Sequence, residues 1–166
     1  MRISTKGRYG LRVMLELAAH YGRGPLAVHA IAASQNISGR YIHILAMALR
    51  TAGLVRALRG PTGGYVLAKP PSSITALDVV SALEGRLAPV DCVADATCCA
   101  RALHCAARDV WCDVASAMDS VLAGLTLESL SARQRAKAGG RARAHVAPGL
   151  RPRLRHRTAQ NCPVLP

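Results

Sequence analysis

Five of the six cysteines, Cys92, Cys98, Cys99, Cys105 and Cys112, fall within residues 92–112. In a reducing compartment, thiols crowded in this way are metal ligands or reactive groups rather than a disulfide framework. Thiolates are soft, charged ligands, and three of them in one flexible loop suit an iron-sulfur cluster. Zinc fits less well, because its sites usually pair cysteines as C-x2-C and the chain has no such spacing. A metal-free alternative is a thiol switch, in which the adjacent Cys98 and Cys99, or Cys105 with Cys112, oxidise reversibly. Cys112, beside Trp111 on a helical stretch, also reads as a small packing residue. Cys162 has no assigned role. Cysteine, histidine and acidic residues coexist near 91–109, yet an enzyme is excluded as the leading class. The chain shows no phosphate-cradling glycine loop, no paired-carboxylate motif and no base helically phased with a cysteine nucleophile.

The charge points to a polyanion. The chain has 166 residues, about one domain's worth, with a formal net charge of +13 and a pI near 10.6. Residues 1–130 hold 13 Lys/Arg and all 9 Asp/Glu, a net +4, whereas residues 131–166 hold 9 Lys/Arg and no acid. That last stretch carries four prolines and the series Arg151, Arg153, Arg155, Arg157, with no apolar period. It is expected to be a disordered basic tail. The opening MRISTKGRYG is charged, no apolar signal core follows it, and no run nears the roughly 18 apolar residues of a membrane span. A cytoplasmic protein that does not engage membranes is expected.

Half of the residues are apolar but only 3% are aromatic and none is Phe, so the core must be built from aliphatic side chains, which favours packed helices. Leu11, Val13, Met14, Leu15, Leu17 and Ala18 recur at helical spacing between Thr5 and Tyr21, and Gly22, Gly24 and Pro25 end that helix. Its first turns present Arg2, Lys6, Arg8 and Arg12 as candidate phosphate contacts. A short helix over 28–35 breaks at Asn36-Ile37 and restarts behind Ser38, a suitable N-cap. This is a helix-turn-helix pattern. In its second helix Ile42, Leu45, Ala46 and Leu49 form an apolar face, while Arg40, His43, Met47 and Arg50 face outward, toward a major groove. The segment 53–67 then reads as two short strands around a Gly/Pro-rich turn, a wing with Arg59 at its tip aimed at a minor groove. Ile74 to Leu83, capped by Thr75, is one more helix. From Arg86 to His104 no helical or strand periodicity is visible, so a loop is expected. Trp111, Val114, Met118, Val121 and Leu125 then alternate by three and four, the seam of a coiled-coil pair on a long helix over 107–124.

These segments resemble the Rrf-two (BadM/Rrf) family of bacterial transcription regulators. The resemblance lies in MRISTKGRYGLRVMLELA, the wing VRALRGPTGGYVLAKP, the helix ITALDVVSALEG, the loop opening Val90-Asp91-Cys92, and the stretch from Arg108-Asp109-Val110-Trp111 to Thr126-Leu127-Glu128-Ser129-Leu130. The family includes an iron-sulfur cluster regulator, a nitric-oxide sensor and a cysteine-metabolism repressor. The resemblance covers residues 1–130 and leaves the basic tail outside. It implies a mainly α, homodimeric, winged helix-turn-helix protein with a β-hairpin wing and a long C-terminal dimerisation helix, bound to a double-stranded DNA operator. It also implies an iron-sulfur cluster, 2Fe-2S first and 4Fe-4S as the alternative, held by Cys92, Cys105 and one of the adjacent pair. Cys99 gives C-x6-C-x5-C and Cys98 gives C-x5-C-x6-C; Cys99 has the commoner family gap. Cluster-binding members carry a histidine where this chain has Arg108, and nitric-oxide sensors an acid where it has Arg8. His104, Asp109 or the spare cysteine are then the candidate fourth ligands. Members often place glutamate where His43 stands.

The expected division is a DNA-binding domain over 1–84, a cysteine-rich sensor loop over 85–106, a dimerisation helix and short end helix over 107–130, and the tail over 131–166. The residues assigned to DNA contact are Lys6, Ser38, Arg40, Tyr41, His43, Arg50, Arg59 and Thr62. A non-specific DNA-binding protein is the remaining alternative.

Overall fold

A computed structural model describes residues 3–144, with side chains to residue 138. Helix α1, Thr5–Ala19, starts where the Ser4 hydroxyl accepts the Lys6 N–H and where Glu84, from a distant helix, accepts the Ser4 and Gly7 N–H groups. A carboxylate at this end of a helix satisfies unpaired donors and complements the helix dipole. Helix α2, Val28–Gln35, stops at Asn36, whose φ of 52° lies in the left-handed region that ends helices. Helix α3, Gly39–Thr51, restarts behind Ser38, whose hydroxyl accepts the Tyr41 N–H.

Strands β1, Val55–Leu58, and β2, Gly64–Leu67, form an antiparallel hairpin with Val55 opposite Leu67 and Leu58 opposite Gly64. Leu26 adds an antiparallel bridge to Tyr65, so the hairpin is anchored to the strand-like segment before α2. After a short 3-10 turn at Pro71–Ser73, helix α4, Ala76–Glu84, begins with a full capping box between Thr75 and Asp78. The arrangement is a winged helix-turn-helix. Val13, Met14, Leu17, Ile31, Ile42, Leu45, Leu49, Val55, Leu67 and Val79 pack one aliphatic core beneath it.

Two expectations change beyond this point. The segment 86–104 is not featureless, since it holds a one-turn helix α5, Asp91–Ala94, and 3-10 turns at Ala96–Cys98 and Ala102–His104. Elements of three or four residues are too short to show a period. Helix α6, Ala106–Ala123, matches its expected span, but the following helix is not short. Helix α7 runs Leu127–Ala144, so residues 131–144, expected within a disordered tail, are helical. Residues 145–166, the remainder of that tail, lie outside the described residues, as does Arg2.

The start of α7 belongs to the core. Leu127 is fully buried, its N–H donates to Ile74 O at 2.9 Å, and the Ala76 N–H donates to Leu125 O at 2.7 Å. Leu127→Ala is expected to cost about 2–5 kcal/mol, because so enclosed a site cannot collapse around the missing methyl groups. Urea denaturation followed by circular dichroism checks this, and a loss below 1 kcal/mol would contradict the assignment. Among the described residues no helix is long and apolar enough to cross a membrane.

Candidate nucleic-acid interface and cysteine segment

The outer face of α3 carries polar and flexible side chains because its inner face is consumed by the core. Arg40, His43, Met47 and Arg50 are exposed, while Ile42, Leu45, Ala46 and Leu49 are buried. Ile44 is exposed beside them. His43, Met47 and Arg50 come together with Ala46 and with Tyr65 of β2 around a shallow cleft of about 200 Å³. Arg59 and Thr62 are exposed at the hairpin turn, and Lys6 is exposed in the first turn of α1. A helix face flanked by a projecting cationic hairpin is the geometry that meets a major groove and its neighbouring minor groove.

Two of the expected contact residues also serve the structure. The Ser38 hydroxyl caps α3, and the Tyr41 ring packs edge-on against Tyr9 at 6.1 Å and 88°. Arg12 is likewise committed. Its Nε donates to Gln35 Oε1 at 2.9 Å and its Nη2 to Gln35 O at 2.8 Å, while Gln35 Nε2 donates to Glu16 Oε2 at 2.7 Å. Gln35 is buried, so this network satisfies a polar side chain beneath the helix-turn-helix. The guanidinium groups of Arg8 and Arg12 both lie against the Tyr9 ring, at 4.9 and 5.1 Å from its centre. Tyr65 and Gln35 escaped the sequence reading. The one visible signal for Gln35 is a long polar side chain in the last turn of a short helix, one turn after the buried Ile31.

The cysteines sit on separate short turns. Cys92 lies in α5, Cys98 ends the turn at Ala96–Cys98, Cys99 follows it, and Cys105 occupies the N-cap position of α6 without a side-chain capping bond. Cys92, Cys99, Cys105 and Cys112 are half-buried and Cys98 is exposed. The Cys98 thiol is pushed up by partial loss of water and then by the negative charge of Cys92, Asp95, Cys99 and Asp91. Asp95 is held below the usual carboxylate range by the hydroxyl and N–H of Thr97. His104 and Asp109 are exposed. Arg108 Nε donates to the Cys92 carbonyl at 2.9 Å and so ties the segment to α6.

A cluster requires its ligands to converge. Among the described residues no three His, Cys, Asp or Glu side chains form a group able to hold a metal. As arranged here, Cys92, Cys98, Cys99, Cys105 and His104 are not gathered into one such group. The disulfide pairs fare no better. Adjacent trans-linked Cα atoms lie about 3.8 Å apart, under the roughly 4.4 Å a disulfide needs, which disfavours Cys98–Cys99. Cys105 and Cys112 are seven residues apart along α6, about 10 Å, beyond the roughly 7 Å limit.

Residues 3–133 match Rrf2, described as an iron-dependent transcriptional regulator. The chain belongs to the Rrf2 family. It is 44% identical over 131 residues to the HTH-type transcriptional regulator CymR of Bacillus subtilis, covering 79% of this chain and 90% of that one. The solved structure of that protein, called the global cysteine regulator of B. subtilis, aligns with a TM-score of 0.67, 42% identity, and coverage of 80% and 98%. The T. potens IscR structure aligns with a TM-score of 0.64 at 33% identity, covering 90% of this chain and 94% of that one. The Staphylococcus aureus CymR crystallised in an oxidised form aligns at 0.62 with 37% identity, covering 79% and 96%. Membership in Rrf2 makes this chain a DNA-binding transcriptional regulator and not an enzyme.

Proposed function

We propose that this Rrf2-family protein is a cytoplasmic, homodimeric regulator that binds a two-fold operator through α3 and the wing, and that its cysteine segment adjusts this binding in response to oxidants. The observation that carries the DNA-reading part is the exposed row Arg40, His43, Met47 and Arg50 beside the cationic hairpin tip. Lys6, Ser38, Arg40, Tyr41, His43, Arg50, Arg59 and Thr62 are the proposed contacts. Phosphate contacts such as Lys6 position the protein, while His43 and Arg50 face base edges.

For the sensing part the geometry favours oxidation of single thiols. A peroxide takes two electrons from one thiolate and leaves a sulfenic acid, which a small thiol such as glutathione or free cysteine converts to a mixed disulfide with loss of water. Arg108 links this segment to α6, so a bulky adduct near Cys92 bears on the dimerisation helix. The C-x6-C-x5-C spacing and the family's iron-dependent description favour an iron-sulfur cluster on Cys92, Cys99 and Cys105 as a second reading. Iron and acid-labile sulfide assays on anaerobically purified protein separate the two. Colourless, iron-free protein whose operator affinity falls reversibly with peroxide and glutathione supports the thiol reading. Stoichiometric iron and sulfide with visible absorption bands overturns it in favour of the cluster.

Residues 145–166 include Arg151, Arg153, Arg155 and Arg157. Their deletion is expected to lower affinity for all duplexes alike and to reduce the salt-dependence slope by as much as ~3–4, which a salt titration of binding measures. A change in operator choice after that deletion would contradict a purely electrostatic role.

A further inference from the structure

Tyr65 stands at the base of the wing with its hydroxyl oxygen 2.9 Å from Nδ1 of His43, and the two rings meet edge to face at 6.0 Å and 67°. The tyrosine is fixed from three sides. Its N–H donates to Leu26 O at 3.0 Å, its carbonyl accepts the Leu26 N–H at 2.9 Å, and it pairs with Ala57 across the hairpin. His43 therefore meets a phenol held by a rigid sheet rather than by a mobile loop. Its Nε2 has no hydrogen-bond partner among the described residues, and the ring is exposed in the cleft on the outer face of α3.

We infer that Tyr65 is a positioning residue that keeps the proton of His43 on Nε2, making His43 a hydrogen-bond donor that selects guanine over cytosine in the operator. The inference rests on the reading of α3 as the element in the major groove. Two proton arrangements satisfy a 2.9 Å contact. The phenol donates to a bare Nδ1, or Nδ1–H donates to the phenol oxygen. A phenol with a pKa near ~10 is a much stronger acid than a neutral imidazole N–H. An unprotonated imidazole nitrogen is also a better acceptor than a phenol oxygen, whose lone pair is delocalised into its ring. Both differences favour donation by Tyr65, which leaves the single imidazole proton on Nε2. In the major groove guanine presents the acceptors N7 and O6, whereas cytosine presents the N4 amino donor. A donor at Nε2 therefore attracts guanine and opposes cytosine. The opposite tautomer would reverse that preference, so the wing sets the sign of a choice made by the recognition helix.

The test pairs operator selection with a direct view of the proton. The full chain is used to select from randomised duplexes, and each position of the selected operator is then varied in competition binding with wild type, Tyr65→Phe and His43→Ala. Long-range 1H–15N NMR reads the His43 tautomer in the same proteins, and thermal unfolding confirms that Tyr65→Phe remains folded. Wild type is expected to show Nε2 protonated and a guanine preference at one position per half-site that His43→Ala removes. Tyr65→Phe is expected to mix the tautomers and to reduce that preference about tenfold. A proton on Nδ1 in wild type overturns the inference. So does a preference at that position for a base other than guanine, or a Tyr65→Phe variant that keeps both tautomer and preference; in these cases the DNA-reading role of α3 still stands. If selection yields no operator, or His43→Ala changes no position, the underlying reading fails and the inference fails with it.

Discussion

Val121→Glu is expected to leave the chain monomeric in light scattering and to weaken operator binding about a hundredfold or more. Val121 is 64% exposed, and Trp111 and Val114 on the same seam of α6 are exposed too, although all three are apolar. Val114, Ala117, Met118, Val121 and Leu122 line one groove with Ile3 and Leu87, so the uncovered surface is continuous. Exposed apolar patches of this kind mark interfaces. The three-four spacing of Trp111, Val114, Met118 and Val121 suits a helix packed against its own copy. A carboxylate at Val121 stays hydrated in the monomer and must lose that water in a dimer, so the cost falls on association rather than on folding. A monomer engages one half-site at a time and forfeits the roughly 10²–10⁴ gain that linkage of two sites provides. Ser116→Glu is the control, since Ser116 is exposed on α6 off the seam. It should leave both dimer and affinity intact. A Val121→Glu protein that remains dimeric, or a Ser116→Glu protein that dissociates, would remove α6 as the interface.

The parts of the fold legible in the sequence are those whose signal is local. The caps Ser38 and Thr75, the break at Asn36 and the apolar face Ile42, Leu45, Ala46, Leu49 each depend on a few neighbouring residues, and they placed α3 and α4 to within a residue or two. The extension of α7 was hidden because burial and propensity disagree there. Leu127 and Ser131 are buried, but the run after them is polar and rich in Ala, Arg, Gln and Lys, residues that favour a helix without signalling a packed face. Contacts between distant residues were hidden for a different reason. Arg12 reads as a free cation until Gln35, 23 residues away, takes both of its bonds. His43 is visible as an outward residue, but its partner lies 22 residues on, in another element. The cysteine spacing suggested a ligand set, yet spacing cannot say whether side chains on α5, the 3-10 turns and the N-cap of α6 converge.

Gly64→Ala is expected to be the most damaging change in the wing, lowering stability by about 3 kcal/mol and the melting temperature by about 10 °C. A Cβ at residue 64 would meet the Leu26 carbonyl, with its carbon at 2.6 Å and Ala27 N at 3.0 Å. These are backbone atoms, so no rotamer change relieves the overlap. The bridge between Leu26 and Tyr65 must open, breaking two backbone hydrogen bonds worth about 1 kcal/mol each and loosening the hairpin from α1 and α2. Gly60 offers the contrast. Its φ of 120° strains any larger residue, but nothing lies near its Cβ position, so Gly60→Ala should cost only about 1–2 kcal/mol. The two substitutions also separate stability from recognition. Opening the Leu26 bridge releases the backbone that carries Tyr65, and with it the contact to His43, so Gly64→Ala should blunt base preference even at temperatures where the protein remains folded. Gly60→Ala alters only the tip and should leave that preference in place. Thermal unfolding and competition binding on both variants decide the matter, and a Gly60→Ala protein less stable than Gly64→Ala would show that the tip, not the Leu26 bridge, holds the wing.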